Sequence, residues 1–393
     1  MAAIGLAPVP EPKLTGSARI QSVDIIRGLI MVLMVIDHVR VYSGLPPGGP
    51  SPGIFFTRWI THFCASGFTF FAGTSIFLYG LKLGSKAELV RYLLTRGLLL
   101  VVLEVTVIRF FWTFSLDYSG FILFGVIWML GWCMVLMAAF IWLRPAIAGI
   151  VGLLIVAFQD FFAKVPAVLP GPSQASFGKF WEFIYKSGFE TWPDMNVLYV
   201  IVPWCGVMAA GYGFGEILLM DPARRRRLCL ALGLSAIVLF IVIGSIIISQ
   251  KVGDPDELPF VLQLLNQRKY PASQLYLLMT LGPLVALIPL AENAKGWLSS
   301  FLKVFGQVPL FFYLMHILLI HLSALVVNLT LYGNIHQEWY EVAPYTQIPE
   351  QFRWGLPLLY AVFVAEIALL YLICRWYATY KRNHPEMKWL KYL

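Results

Sequence analysis

Two ionisable residues stand in a stretch otherwise suited to lipid. Ser22-Val23-Asp24-Ile25-Ile26-Arg27 is followed by ten residues, nearly all apolar, and then by His38. Read as a membrane helix, the segment sets His38 about 20° round from Arg27, so the two share a face. At about 1.5 Å per residue they lie roughly 16 Å apart along the axis. A guanidinium is a permanently charged, forked partner for phosphate. An imidazole, with an ordinary pKa near about 6.5, works as a general base or nucleophile at neutral pH. A cation at one end and a base at the other suit a long molecule that is charged at one end and reactive at the other. The plainer reading is a snorkelling Arg and an interfacial His.

The neighbours refine this reading. Asp24 lies three residues before Arg27 and about 60° round, within pairing reach on the helix. Asp37 adjoins His38 but points about 100° away, so it is a poor orienting group and a candidate for substrate contact instead. The group that orients His38 is therefore expected from another helix. Glu104 comes first and Glu366 second, each an isolated acid in an apolar run. Glu104 must be protonated or meet a cation from elsewhere in the bundle. His62, before the small-residue stretch Phe63 to Ser75, is a candidate for substrate contact, with helix packing as its alternative. His316 and His321 sit about 140° apart on one helix and do not jointly chelate a metal. His316 is the one expected to line the interior, and helix packing is an equal alternative.

These residues need a membrane scaffold. The 393 residues are 59% hydrophobic and 13% charged, whereas soluble domains are about one-quarter charged. Mean hydropathy is +0.75. The expected fold is an all-α polytopic bundle of about 10 (10–11) transmembrane helices. Ten apolar runs are long enough to cross a bilayer: 22–42, 57–81, 91–112, 119–142, 145–163, 195–217, 228–249, 271–291, 307–331 and 355–376. Residues 1–21 read as an N-terminal tail, 22–376 as the transmembrane domain and 377–393 as a basic C-terminal tail.

With ten spans, 18 of the 29 Lys and Arg fall on the side of the termini. That side is expected to be cytoplasmic, which sets Arg27 near the cytoplasm and His38 near the outer end. Arg224 to Arg227 then serve as an anchor beside anionic lipid, not as a nucleic-acid patch. Met1–Gln21 carries three prolines and no apolar core, so no cleavable signal is expected. The five cysteines are scattered and imply neither a disulfide framework nor a metal site.

The first helix, with Ser22-Val23-Asp24, Arg27-Gly28 and His38, resembles that of the transmembrane acyltransferase superfamily, whose members share an Arg-x10-His pattern. The branch it most resembles is the heparan-α-glucosaminide N-acetyltransferase-like membrane proteins. Phe70-Phe71-Ala72-Gly73-Thr74-Ser75 in the second span is similar to theirs, and the segment Gly306-Gln307-Val308-Pro309 through His316 is similar to a late motif of bacterial members. The resemblance implies transfer of an acyl group, acetyl above all, from cytoplasmic acyl-CoA (acetyl-CoA) to a sugar or similar hydroxyl or amine acceptor outside. It implies His38 as the catalytic histidine and Arg27 in donor binding. Glu104 is then the catalytic carboxylate looked for beside His38, Asp24 joins Arg27 in donor binding, and Asp37, His62 and His316 are candidate substrate contacts. The implied partners are the lipid bilayer, acyl-CoA and a carbohydrate or small-molecule acceptor, in a bacterial inner membrane, with no metal and no nucleic acid. A homodimer is compatible with this reading. Two rival classes stay open at this point: a transporter or flippase with Glu104 as a coupling-ion site, and a non-catalytic membrane sensor.

Overall fold

The polar residues of the first span are carried on one unbroken helix, α1 (Gln21–Tyr42). The structure is a computed structural model that describes residues 20–46, 51–119, 121–168, 172–185, 195–250, 258–342, 345 and 347–392. Most of the expected N-terminal tail, with Lys13 and Arg19, lies outside the described residues, as do the acids Asp254, Asp256 and Glu257, which the span pattern expects in an outer loop.

After α1 come α2 (Pro52–Leu83), with a 3-10 turn at Ile60–His62, and α3 (Lys86–Leu103). A π-helical segment, Glu104–Ile108, and a last turn, Arg109–Thr113, extend α3. The chain continues through β1 (Ile122–Phe124), α4 (Val126–Phe140), α5 (Pro145–Ala157), β2 (Met195–Val197), α6 (Ile201–Leu218) and α7 (Pro222–Ser249). It ends with α8 (Gln274–Asn293), α9 (Trp297–Gly306), α10 (Pro309–Tyr332) and α11 (Leu356–Asn383). Local chemistry sets several boundaries. The side chains of Ser51, Ser85, Asp221 and Ser273 accept from the first-turn amides of α2, α3, α7 and α8. Gly333, at φ +74°, closes α10 in a left-handed conformation that a Cβ would strain.

The protein is an all-α polytopic membrane protein. Among the described residues, six helices are long and apolar enough to cross a bilayer: α2, α6, α7, α8, α10 and α11. Counted as one span bent by 67°, α5 and the 3-10 segment Gln159–Val168 would make a seventh. At the other expected spans the structure has helices that are shorter, more charged or interrupted. The expected starts at 119 and 195 are corrected. β1 and β2 occupy those positions and pair in parallel, with Ile122 opposite Met195 and Phe124 opposite Val197. Backbone amides that would be orphaned ahead of each helix satisfy one another in this way.

α1 packs against α2, the end of α8, α9, α10 and α11. Membrane helices that associate closely need small residues where their backbones meet. A Cβ at Gly28 would lie 2.0 Å from the Leu302 carbonyl oxygen, and one at Gly306 would lie 2.0 Å from that of Asp24. α1 and α9 therefore touch backbone to backbone. Gly73 and Gly211 do the same for α2 and α6, where an added Cβ would come within 1.9 Å of Met208 and Phe70 oxygens. α7 turns most of its apolar surface outward, with Leu234, Val238 and Ile246 exposed, as suits a lipid-facing helix.

Candidate functional site

α1 brings Arg27 and His38 to its two ends, and each finds a partner from a different part of the chain. The Arg27 guanidinium pairs with Asp24 at 2.5 Å and donates to Ser75 Oγ at 3.3 Å. One turn of α1 and the small-residue face of α2 thus fix its plane. Its side chain stays 16% exposed, beside a nearly buried Asp24.

His38 meets His316. Nδ1 of His38 lies 2.6 Å from Nε2 of His316, with the two rings within 19° of parallel. His316 is fully buried, and its own Nδ1 lies 3.1 Å from the Phe312 carbonyl oxygen. A carbonyl only accepts, so that contact assigns the proton of His316 to Nδ1 and makes its Nε2 an acceptor. His38 must then donate through Nδ1–H. The remaining nitrogen of His38, Nε2, carries the lone pair and is the basic position of the pair. His38 itself is half-buried.

Aromatic side chains close round this pair. Trp112 presents its edge to His38 at a centroid distance of 4.9 Å, and Tyr313 does so at 6.4 Å. Trp112 is fixed through its carbonyl, which accepts from Tyr42 Oη at 3.1 Å and Tyr345 Oη at 2.6 Å. Arg109 ties down the turn that follows. It donates to the carbonyls of Phe121 (2.9 Å), Ser115 (2.7 Å) and Asp117, and stacks over Tyr118 at 4.0 Å. Arg109→Met removes all of these at once. The expected result is new protease sensitivity between Ser115 and Ser119 and a fall in thermal midpoint equivalent to about 2–4 kcal/mol. Native-like proteolysis of that variant would show that the clamp is dispensable.

The orienting carboxylate expected beside His38 is corrected: His316 occupies that place, and neither Glu104 nor Glu366 bonds to His38. Glu104 lies at the N-terminus of α4. Its Oε2 accepts from Trp128 N at 3.0 Å, and the amides of Gly125 and Ile127 also face it. A helix N-terminus offers unsatisfied N–H groups and positive potential to an anion. The isolated acid thus needs no cation from another helix. Glu104 does lie within electrostatic range of Tyr313, one residue removed from His38. Glu366 accepts from Ser323 Oγ at 2.5 Å and joins α11 to α10.

The other candidates separate. Asp37 forms an ion pair with Arg40 at 3.0 Å. His62 donates through Nδ1 to the Arg58 carbonyl at 3.1 Å, and its buried Nε2 has no partner among the described residues. His321 points to other neighbours than His316 does, bonding Phe111 O at 2.9 Å and stacking on Phe114. Arg225, within the basic run, pairs with Glu292 at 2.6 Å. No group of three metal-ligating side chains occurs among the described residues.

Sequence reasoning missed two residues here. Trp112 is one aromatic among 13 tryptophans, and nothing in its local pattern marks it. Lys269 stands in the polar run Asn266-Gln267-Arg268-Lys269, where it reads as one more outer-loop charge. In the structure it is 9% exposed and lies within electrostatic range of Asp37, His38 and His62. A charged residue just before a span that opens with tyrosines was the available signal.

Comparison with known families gives one match. The catalytic model of heparan-alpha-glucosaminide N-acetyltransferase matches residues 19–249. That stretch holds Arg27, His38, His62 and Glu104, and stops short of Lys269 and His316. No curated protein matches the chain.

Proposed function

The chain belongs to the heparan-alpha-glucosaminide N-acetyltransferase catalytic family, a membrane acetyltransferase kind, and from that premise we propose that it moves an acetyl group from acetyl-CoA on the Arg27 side to a hydroxyl or amine acceptor at His38. The observation that carries this reading is the histidine pair, whose hydrogen bonds leave His38 Nε2 unprotonated and ready to act as a base.

The donor supplies a thioester, an acyl group already activated for attack. Arg27, held by Asp24 and Ser75, is a preoriented fork whose charge is already balanced. It suits orienting a phosphate more than attracting one from a distance. The roughly 16 Å from Arg27 to His38 along α1 matches an extended arm between phosphates and a reacting sulfur. At the far end, His38 Nε2 takes the proton from the acceptor as its oxygen or nitrogen bonds to the acyl carbon. The Nδ1–H of the resulting imidazolium donates more strongly to His316 Nε2, which stabilises the charge in a site of low dielectric. As the carbon–sulfur bond breaks, His38 returns its proton to the leaving sulfur. Trp112 and Tyr313 pack against His38 and limit the positions its ring can take. By the charge distribution, the Arg27 side is the cytoplasmic one.

The transporter alternative drew on Glu104 as an isolated acid at mid-membrane. The amides that open α4 account for that carboxylate without a coupling ion.

The test uses purified full-length protein in nanodiscs with radiolabelled acetyl-CoA and a panel of sugars and amines. Saturable binding of acetyl-CoA and release of free CoA thiol, stimulated by at least one acceptor, are expected. A folded protein that neither binds acetyl-CoA nor releases thiol would overturn the reading.

A further inference from the structure

Among the described residues, three aromatic rings stand against His38: those of His316, Trp112 and Tyr313. His316 sets the tautomer of His38. The other two each carry a polar hydrogen that the protein leaves unused. Trp112 is 7% exposed and Tyr313 6%, yet neither the indole Nε1–H nor the phenol O–H makes a hydrogen bond among the described residues. A buried tryptophan or tyrosine usually finds a partner for that hydrogen. His38, which both rings adjoin, is half-buried and so open to a substrate group.

Neither ring depends on its polar hydrogen for position. The Trp112 carbonyl accepts from the Tyr42 and Tyr345 hydroxyls, and the indole lies within 4° of parallel to the Tyr42 ring at 5.6 Å. Tyr313 precedes His316 by three residues on α10 and meets its ring at 5.1 Å. The two donors are thus preoriented beside the base. Acyl transfer needs such donors. As the acceptor bonds to the acyl carbon, the carbonyl π pair moves onto oxygen and an oxyanion develops. The histidine pair has no donor left for it: the Nδ1–H of His38 goes to His316, and Nε2 is taking the acceptor's proton. Fixed N–H and O–H groups in a site of low dielectric stabilise such an oxygen without having to reorient.

We propose that Trp112 Nε1–H and Tyr313 Oη–H form the oxyanion site, as two further catalytic residues that donate to the carbonyl oxygen of the acetyl thioester. That oxygen gains charge on attack and returns its electron pair to carbon as the carbon–sulfur bond breaks. The leaving sulfur keeps the pair of the broken bond and takes the proton held by His38. The two aromatic donors therefore stabilise charge and transfer no proton. This rests on the reading of His38 as the base for acetyl transfer.

The test compares the native protein, Tyr313→Phe, Trp112→Phe and the double variant, each full-length in nanodiscs. Tyr313→Phe removes one oxygen that bonds to nothing among the described residues, so its thermal midpoint is expected to stay at the native value. Its kcat is expected to fall about 10²–10³-fold, the range for one lost oxyanion donor, with the KM for acetyl-CoA unchanged. Trp112→Phe should lose kcat in the same range, read at a temperature where it is folded. Should it fail to fold, Tyr313→Phe alone decides both readouts. The second readout is the carbonyl stretch of isotope-labelled dethia-acetyl-CoA, a ketone in which a methylene replaces the sulfur and which cannot transfer its acetyl group. Donated hydrogen bonds polarise the carbonyl, so infrared difference spectra should show the band at lower frequency on the native protein than in water. The displacement should shrink on either single variant and vanish on the double variant. Folded single variants with native kcat, or a band equally displaced on all four proteins, would overturn the proposal. So would a loss of kcat that only follows the thermal midpoint. Those results leave the acetyltransferase reading standing, whereas native protein that binds no acetyl-CoA overturns both.

Discussion

His38→Ala is expected to lower kcat for acetyl transfer about 10²–10⁴-fold, the range for loss of a positioned general base, while the KM for acetyl-CoA changes little. The substitution removes the only nitrogen that the hydrogen-bond pattern leaves basic at this position, whereas Arg27 and its partners lie at the other end of α1. His316 acts through His38, so its loss should be smaller in size and different in kind. His316→Leu leaves the His38 Nδ1–H without its acceptor in a buried site, freeing the ring to turn and adopt the other tautomer. His316→Gln keeps a carbonyl oxygen able to accept that proton and should restore much of kcat. A purely structural role for His316 would make both variants equally inactive, or inactive only where they unfold. Single-turnover kinetics on the four proteins, at a temperature where all are folded, separates these outcomes. A folded His38→Ala protein working at the native rate would remove the catalytic assignment.

Gly28→Ala and Gly306→Ala should each destabilise the protein by about 1–3 kcal/mol, the usual range for overpacking, and valine at either site by more. Each added methyl would stand 2.0 Å from a backbone oxygen of the facing helix, Leu302 for Gly28 and Asp24 for Gly306. A backbone atom does not move aside as a flexible side chain does, so α1 and α9 must part. Activity should fall further than stability alone predicts. α9 ends at Gly306, and Pro309 begins α10, which carries His316. Pushing α9 away from Asp24 therefore draws His316 from His38 and loosens Asp24 against Arg27. Gly178 has open space where a Cβ would be, so Gly178→Ala is the control and should change neither property. The measurements are thermal midpoint in detergent and acetyl-CoA turnover well below it. A Gly28→Ala protein as stable and active as the native one would show that α1 and α9 are not in backbone contact.

The three motifs noticed along the sequence turn out to be parts of one contact. Gly28 of the first meets the turn before Gly306 of the last, Arg27 of the first meets Ser75 of the second, and His38 meets His316. Their separate recognition needed only local pattern. Their joining spans 278 residues in the case of the histidines, a pairing that a single sequence does not reveal. The search for a carboxylate near His38 went astray for a related reason. An isolated acid in an apolar run signals that a partner exists, and Glu104 has one. A helix N-terminus supplies it, and backbone amides carry no residue type that a sequence could display.

Composition and hydropathy by themselves determined that this is a helical membrane protein, because burying backbone in lipid leaves few alternatives to helices. The 3.6-residue period by itself determined that Arg27 and His38 share a face, since both lie on one unbroken helix. Only the tertiary structure decided what each of them touches. It paired Arg27 with Asp24 and Ser75, fixed the tautomer of His38 through His316 and Phe312, and folded Lys269 out of the loop ahead of α8 into the histidine's surroundings. Helical period acts over a few turns and is written in the order of residues. The contacts that set charge and proton position arise between helices distant in sequence, where packing at glycine faces chooses the neighbours.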